Sequence, residues 1–148
     1  MFVVDTNILI YAADRDSQPH VTCRALLDEW RRSPAAWYLT WGICYEFLRV
    51  VTHPKAFTRP WSSKEAWQFL DVVLESPGIG LLVETGRHAA VAAEVMALVP
   101  HLGGNLWHDA HTAVLMREHG IRRIMTRDTD FHRFKFIEPI DPLTPPGR

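Results

Sequence analysis

Carboxylate side chains occur in four short segments that are far apart along the chain, each with apolar neighbours. They belong to Asp5, Glu46, Asp109 and Asp128, and Asp130 follows the last of these by two residues. Ionised carboxylates are costly to bury unless cations or hydrogen-bond donors compensate them. A divalent metal ion would neutralise several at once, and oxygen ligands suit Mg²⁺ and Mn²⁺. If folding gathers these segments, the chain has the residues of a metal-dependent hydrolase.

Each acidic residue also has a structural explanation. Asp5 and Asp130 can cap the helix or turn that follows them, because Asp is a favoured N-cap residue. Glu46 can form a weak surface pair with Arg49, three residues further along a helix. Asp109 can interact with the dipole of a helix that begins close to it. The presence of all four segments in one chain favours the metal site.

Polar residues beside the acids predict supporting roles. Asn7 either orients Asp5 or holds a water molecule of the metal. Thr126, at the end of a predicted strand, is suited to contact a bridging water or a phosphate oxygen. Asp128 ranks ahead of Asp130 because it lies nearer the strand end, but the choice between them as the fourth acid stays open.

The composition indicates one globular domain. The chain has 148 residues, 47% of them hydrophobic, with a formal net charge of −1, which is enough for a substantial core. No apolar run reaches the length of a membrane span, and the chain opens without a secretory signal. Cys23 and Cys44 are far apart and unpaired in sequence, so we expect reduced, buried thiols in a cytoplasmic protein.

The basic residues are nearly all arginine. Only Lys55, Lys64 and Lys135 among the sixteen basic residues are lysine. Arginine is suited to phosphate contacts and to stacking on bases, although a GC-rich genome would produce the same excess. Four arginines near the last acidic segment are predicted to contact substrate phosphates: Arg122, Arg123, Arg127 and Arg133.

Strand-like and helix-like segments alternate along the chain. Strands are predicted at residues 2–4, 37–40, 80–83, 123–125 and 136–137, with helices between them. This alternation predicts an α/β, three-layer sandwich with a central, mainly parallel sheet. A single domain would span residues 1–138, followed by a poorly ordered, Pro-rich tail at 139–148. Sites in such folds lie beyond the carboxyl ends of the strands, where Asp5 and Asp128 fall.

A zinc site is the competing metal interpretation. His101, His108 and His111 are close in sequence, but the spacing of the last two is not that of a zinc protease, and no Cys lies nearby. We therefore expect these histidines to face solvent and to contact RNA or a partner.

In their order and spacing these segments resemble a PIN domain, and more narrowly a VapC-type toxin ribonuclease of a toxin–antitoxin pair. The matching segments are Asp5-Thr6-Asn7, the helix with Glu46, the helix start Asn105–Ala110, and Thr126–Phe131. The resemblance implies a parallel sheet, an Mg²⁺- or Mn²⁺-dependent endoribonuclease, a homodimer and a small antitoxin. Its acids map onto Asp5, Glu46, Asp109 and Asp128. The loop 53–61, which is longer and more aromatic than the pattern, either guides RNA or receives the antitoxin.

The resulting hypothesis is that Asp5, Asp109 and Asp128 hold one or two metal ions, with Glu46 as a further ligand directly or through water. One rival is a haloacid-dehalogenase-like phosphatase, which needs a second acid where this chain has Asn7. Another is a catalytically inert PIN-like module that binds RNA or protein. The complete set of acids argues against the inert module, and the phosphatase also lacks a suitably placed Lys.

Overall fold

Five parallel strands form a single central sheet in the computed structural model, which describes residues 1–144. The strands are β1 (Val3–Val4), β2 (Trp37–Thr40), β3 (Ile79–Leu82), β4 (Arg123–Met125) and β5 (Glu138–Ile140). The helices are α1 (Thr6–Ala13), α2 (His20–Arg32), α3 (Trp41–Val51), α4 (Ser63–Leu74), α5 (His88–Leu98) and α6 (Leu106–Glu118), and a 3₁₀ turn covers Thr129–Arg133. The predicted α/β sandwich with a parallel sheet is confirmed.

The strand order creates a point at which the chain changes direction across the sheet. The order is β3-β2-β1-β4-β5, so β2 and β3 lie on one side of β1 and the last two strands on the other. The backbone N–H of Asp5, just after β1, donates to the carbonyl of Met125 at the end of β4 (3.0 Å). Ligands bind at such switch points in open parallel sheets, and the acidic segments converge there.

Apolar residues on both faces of the central strands explain why the sheet is covered by helices. Val3, Val4 and Ile124 are completely buried, as expected for parallel strands between two helical layers. Phe47 of α3 is also fully buried and stacks on Phe69 of α4, with ring centroids 5.1 Å apart. Burying a side chain of this size contributes roughly 1.5–3 kcal/mol, so α3 is held firmly behind the site.

Side-chain caps determine where several helices begin. Thr40 Oγ1 accepts from the N–H of Ile43 at the start of α3 (3.0 Å). A capping box opens α4, because Ser62 and Glu65 each bond the other's backbone N–H. The Thr40 cap helps to fix the direction in which α3 leaves the end of β2.

The last strand differs from its prediction. It covers Glu138–Ile140 rather than residues 136–137, and Pro139 is in register with Ile124 of β4. Proline cannot donate to a strand ladder, but an edge strand tolerates it. Residues 139 and 140 of the predicted tail are therefore part of the sheet, whereas residues 145–148 lie outside the described part.

Two further sequence predictions concern the thiols and the membrane. Cys23 and Cys44 are free and buried, and burial raises the pKa of the two thiols to about 11 and about 12. Within residues 1–144, no helix is both long enough and apolar enough to cross a bilayer.

Candidate metal centre

The predicted acids line one cleft of about 690 Å³ at the carboxyl edge of the sheet. Asp5 reaches it from the end of β1, Glu46 from α3 and Asp109 from the first turn of α6, while Asp128 and Asp130 reach it from the segment after β4. Residues distant in sequence are therefore neighbours in space, which the hydrolase hypothesis requires.

Asp5 is held by three hydrogen bonds. Its Oδ1 accepts from the backbone N–H of Thr6 (2.7 Å), so it caps α1, and its Oδ2 accepts from Asn7 Nδ2 (2.7 Å) and Thr126 Oγ1 (2.6 Å). The residue is only 8% exposed. Burial raises the pKa of Asp5 to about 6, and the hydrogen bonds from Thr126 and Thr6 oppose this shift. The capping role and a place in the cleft are thus compatible.

The Thr126 hydroxyl links the two chain segments that form the floor of the cleft. It donates to Asp5 and accepts from the N–H of Asp128 (2.9 Å) and from Asn7 Nδ2 (3.1 Å). Asn7 also accepts, through Oδ1, from the N–H of Arg127 (3.3 Å). A hydroxyl has one proton and two lone pairs, so Thr126 is fully used.

Asp109, Asp128 and Asp130 form a tight group of carboxylates. One oxygen from each lies within 4.8 Å of the others. Burial, followed by the negative charges of Asp128, Asp5 and Asp130, raises the pKa of Asp109 to about 7. Among residues 1–144, no hydrogen-bond donor reaches the Asp109 carboxylate. The negative charge on Asp109 is therefore not compensated by hydrogen bonds, and a bound cation would compensate it.

A divalent cation fits this group chemically. All the donors are carboxylate oxygens, which is the ligand set of Mg²⁺ and Mn²⁺ rather than of zinc. Two other contacts position the group: Asp128 Oδ1 accepts from the N–H of Asp130 (2.8 Å), and Asp130 Oδ1 accepts from Arg133 Nε (3.2 Å). Asp128 and Asp130 are both close to Asp109, but the negative charge of Asp128 also acts on Asp5, whereas Asp130 is paired with Arg133.

Glu46 lies in the cleft but outside the tight group. Its two oxygens accept from Arg49 Nε (2.9 Å) and Nη2 (2.6 Å), the pair considered as a structural alternative. This hydrogen bonding keeps the pKa of Glu46 below its usual value, with smaller effects from the charges of Arg49 and His108. Arg49 also lines the cleft, a position that its role as a helix-surface partner did not predict.

The arginines predicted to contact substrate fall into two sets. Arg127 and Arg133 lie beside the cleft acids, where Arg127 pairs with Asp141 (3.4 Å) and Arg133 with Asp130. Arg122 and Arg123 lie at the amino end of β4, across the sheet from the cleft, and Arg123 pairs with Glu138 (3.2 Å). The predicted contact of Arg122 and Arg123 with substrate is therefore not supported. These residues are close to Asp128 in sequence, but they lie at the opposite edge of the sheet.

Other cleft residues were not assigned to the site from sequence. Asn105, His108 and Thr112 line it from α6 and its N-cap, and Gly42 lines it from the first turn of α3. A Cβ at Gly42 would lie 3.3 Å from Nδ1 of His111, so the helices pack closely there. The one-turn spacing of His108 and Thr112 on α6 could have signalled the shared face.

Known proteins resemble this chain over nearly its whole length. The sequence profile of the PIN domain matches residues 2–137. Ribonuclease VapC48 of Mycobacterium tuberculosis is 32% identical over 140 residues, which cover 95% of this chain and 96% of that protein.

Solved structures share the fold. The crystal structure of VapC20 from Mycobacterium tuberculosis, a toxin described as cleaving the sarcin-ricin loop, aligns with a TM-score of 0.64 at 17% identity, over 89% of this chain and 93% of that one. VapBC2 from Rickettsia felis, bound to a DNA fragment from their promoter, gives 0.63 at 14% identity over 94% and 96%. With a matching profile over nearly its whole length and a VapC relative above 30% identity, this chain belongs to the PIN-domain family and to its VapC group.

Proposed function

We propose that the protein is an Mg²⁺- or Mn²⁺-dependent endoribonuclease and the toxin of a toxin–antitoxin pair. The observation that carries the proposal is the approach of Asp109, Asp128 and Asp130 to within 4.8 Å beside the buried Asp5 in an open cleft. The ribonuclease names of the relatives, such as VapC48, agree with it.

The acidic residues of the cleft have different roles in the proposed cation site. Asp109, Asp128 and Asp130 would supply oxygen ligands, Asp5 would add a fixed carboxylate, and Glu46 would bind directly or through water. Mg²⁺ or Mn²⁺ at such a centre makes water a stronger nucleophile and offsets negative charge on a phosphodiester. Asn7 and Thr126 orient Asp5, because both donate to its Oδ2. Cation binding would also favour the ionised form of Asp109, whose pKa is otherwise about 7.

RNA binding needs positive charge and polar donors at the rim, because an acidic cleft repels phosphates. Arg49, Asn105 and His108 line the cleft and can donate to phosphate oxygens. Arg127 and Arg133 extend this rim from the segment after β4. Their pairing with Asp141 and Asp130 is solvent-exposed, so exchange of a carboxylate for a phosphate costs little.

A substrate test separates the proposal from its rivals. Purified protein with Mn²⁺ or Mg²⁺ is incubated with single-stranded RNA, with DNA of the same sequence and with a phosphomonoester. We expect internal cleavage of RNA that is lost in EDTA and in Asp109→Asn. Asp71→Asn, a change of the same kind on the exposed face of α4, should cleave normally. Phosphomonoester hydrolysis alone would mean a phosphatase, and turnover of none of the three substrates would mean an inert module.

An antitoxin partner is supported by apolar surface near the cleft. Tyr45 and Trp67 are 64% and 45% exposed, and with Leu48 they line a depression of about 460 Å³ between α3 and α4. Exposed aromatic patches mark protein interfaces. Co-expression with a candidate antitoxin, such as a small protein encoded next to the gene, should inhibit RNA cleavage, and Tyr45→Ala with Trp67→Ala should weaken that inhibition. Full inhibition of the double variant would place the antitoxin elsewhere.

We also propose a cytoplasmic homodimer, as the family resemblance implies. Light scattering coupled to gel filtration tests this directly. A mass near 34 kDa, twice the 17.0 kDa of the chain, is expected, and a concentration-independent mass of one chain would contradict it.

A further inference from the structure

A second group of metal-ligating side chains lies beyond the end of β3. It consists of Glu84, which follows β3, His88, the first residue of α5, and His111 of α6, and is called the histidine cluster below. One ligand atom from each residue lies within 4.8 Å of the others. His111 Nε2 is 2.8 Å from Glu84 Oε1, and the two imidazole rings meet edge to face with centroids 5.8 Å apart.

A buried carboxylate orients one of these imidazoles. Glu118, whose side chain is fully buried, lies 2.6 Å through Oε2 from Nδ1 of His88. Its Oε1 accepts from the backbone N–H (3.1 Å) and the hydroxyl (2.7 Å) of Thr85, which fixes the carboxylate in place. A carboxylate bonded to Nδ1–H makes Nε2 the unprotonated nitrogen, and this arrangement is usual behind histidines that bind metals.

The donor types select a different cation from the acidic cleft. Two imidazole nitrogens and one carboxylate oxygen suit Zn²⁺ or a similar transition metal, with a fourth position left for water, whereas Mg²⁺ prefers oxygen. Glu84 and His111 are partly exposed, at 53% and 37% of their side chains, so a metal ion can reach them from solvent. The same exposure lets the two side chains separate slightly to admit an ion between them.

We propose that Glu84, His88 and His111 form a second, zinc-type metal site, with Glu118 as the residue that positions His88. A metal ion bound there would link the segment after β3 to α6 through Glu84 and His111, which are 27 residues apart in sequence. It would also adjoin the acidic cleft, because His111 packs against Gly42, which lines that cleft. The proposal stands on its own residues and does not depend on the nuclease function.

The test follows the histidine side chains by NMR. The full chain is labelled with ¹⁵N-histidine and titrated with ZnCl₂, and separately with MgCl₂. We expect the imidazole nitrogens of His88 and His111, among the eight histidines, to shift on addition of one equivalent of zinc and to remain unchanged with magnesium. Competition with a chromophoric chelator gives the affinity in parallel.

Matched variants decide between a built site and chance proximity. Glu84→Gln should lower zinc affinity more than tenfold, and Glu118→Gln about 10–100-fold. Glu94→Gln removes an equally exposed carboxylate of α5, one that pairs with Arg117, and should leave affinity unchanged. The proposal is wrong if zinc leaves both imidazoles unperturbed, if it shifts only His108 beside the acidic cleft, or if Glu84→Gln binds like the native protein.

Discussion

The two sides of the acidic cleft are built differently. On the β1 side, Asp5 is nearly buried and its carboxylate accepts from Thr6, Asn7 and Thr126. On the α6 side, Asp109 has no donor among residues 1–144 and lies near three other carboxylates. Burial is the largest cause of the raised pKa on both sides. The β1 side therefore keeps its geometry without an ion, whereas the α6 side needs one to be stable in the charged form.

The largest expected effect is on RNA cleavage, and it should be the same for both sides. Asp5→Asn and Asp109→Asn each remove a carboxylate from the proposed centre, so we expect kcat/KM to fall at least about 100-fold, corresponding to several kcal/mol of lost stabilisation. Cleavage of a fluorescently labelled RNA in Mn²⁺ measures this. Retention of full activity by either variant would remove that residue from the centre.

The hydroxyl that joins the two sides gives the next effect. Thr126→Val keeps the shape but loses one donated and two accepted hydrogen bonds. We expect metal affinity and cleavage to fall about 10–100-fold, while Thr126→Ser stays close to the native protein. Isothermal titration with Mn²⁺ measures the first quantity. Equal affinities for the Val and Ser variants would show that Thr126 does not orient Asp5.

Without metal, the stability of the protein should depend on pH through the carboxyl groups of Asp5 and Asp109, one from each side of the cleft. The pKa values of Asp5 and Asp109 are about 6 and about 7 in the folded protein, against an ordinary value of 3.8 for an Asp side chain. The folded state therefore binds more protons than the unfolded chain between about pH 4 and 7, and these groups lose stabilisation as pH rises through their folded pKa values. The Tm in EDTA should fall from pH 5 to pH 8 because of them.

Two controls sharpen this pH prediction. Asp109→Asn removes the group with the higher pKa, so the decrease in Tm with pH should become smaller. The variant should also have a higher Tm at pH 8, because it lacks the charge repulsion between Asp109 and the neighbouring carboxylates. Saturating Mn²⁺ should also raise Tm at pH 8. An identical pH profile for the native protein and Asp109→Asn would mean that Asp109 is ionised throughout the range. Differential scanning calorimetry measures all of these.

Glu46 should give the smallest effect. It is already paired with Arg49 and lies outside the tight carboxylate group, so Glu46→Gln should lower cleavage less than about tenfold, which is less than about 1.4 kcal/mol. Arg49→Gln and the double variant complete a cycle that isolates the pair. A loss as large as that of Asp109→Asn would instead make Glu46 a direct metal ligand.

The sequence predicted elements best where local chemistry determines them. Strand β4 was predicted at residues 123–125 and strand β2 at residues 37–40, both as observed. The convergence of Asp5 and Asp128 followed from a general rule on parallel sheets. Strand β5 was misplaced because Pro139 was assigned to the Pro-rich tail, although an edge strand permits proline.

Contacts across the fold were the part that sequence could not supply. The arginines Arg122 and Arg123 precede β4, and only the sheet direction shows that they lie opposite the cleft. The histidine cluster was missed because its members are separated in sequence, and because Glu84 in isolation has the features of an ordinary surface acid. Asp109 was found because a carboxylate in an apolar helix turn is itself unusual.

Pro139 lies in β5, at one edge of the sheet, and affects whether a further strand can pair with that edge. The N–H of Glu138 donates to Arg122 and the carbonyl of Ile140 accepts from Thr126, so the residue between them directs its backbone away from β4. A proline there removes the donor that the outermost strand would offer to a sixth strand. Free strand edges promote pairing between copies, and proline is one of the residues that discourage it. The same residue that obscured β5 in the sequence thus protects the protein against edge-to-edge aggregation.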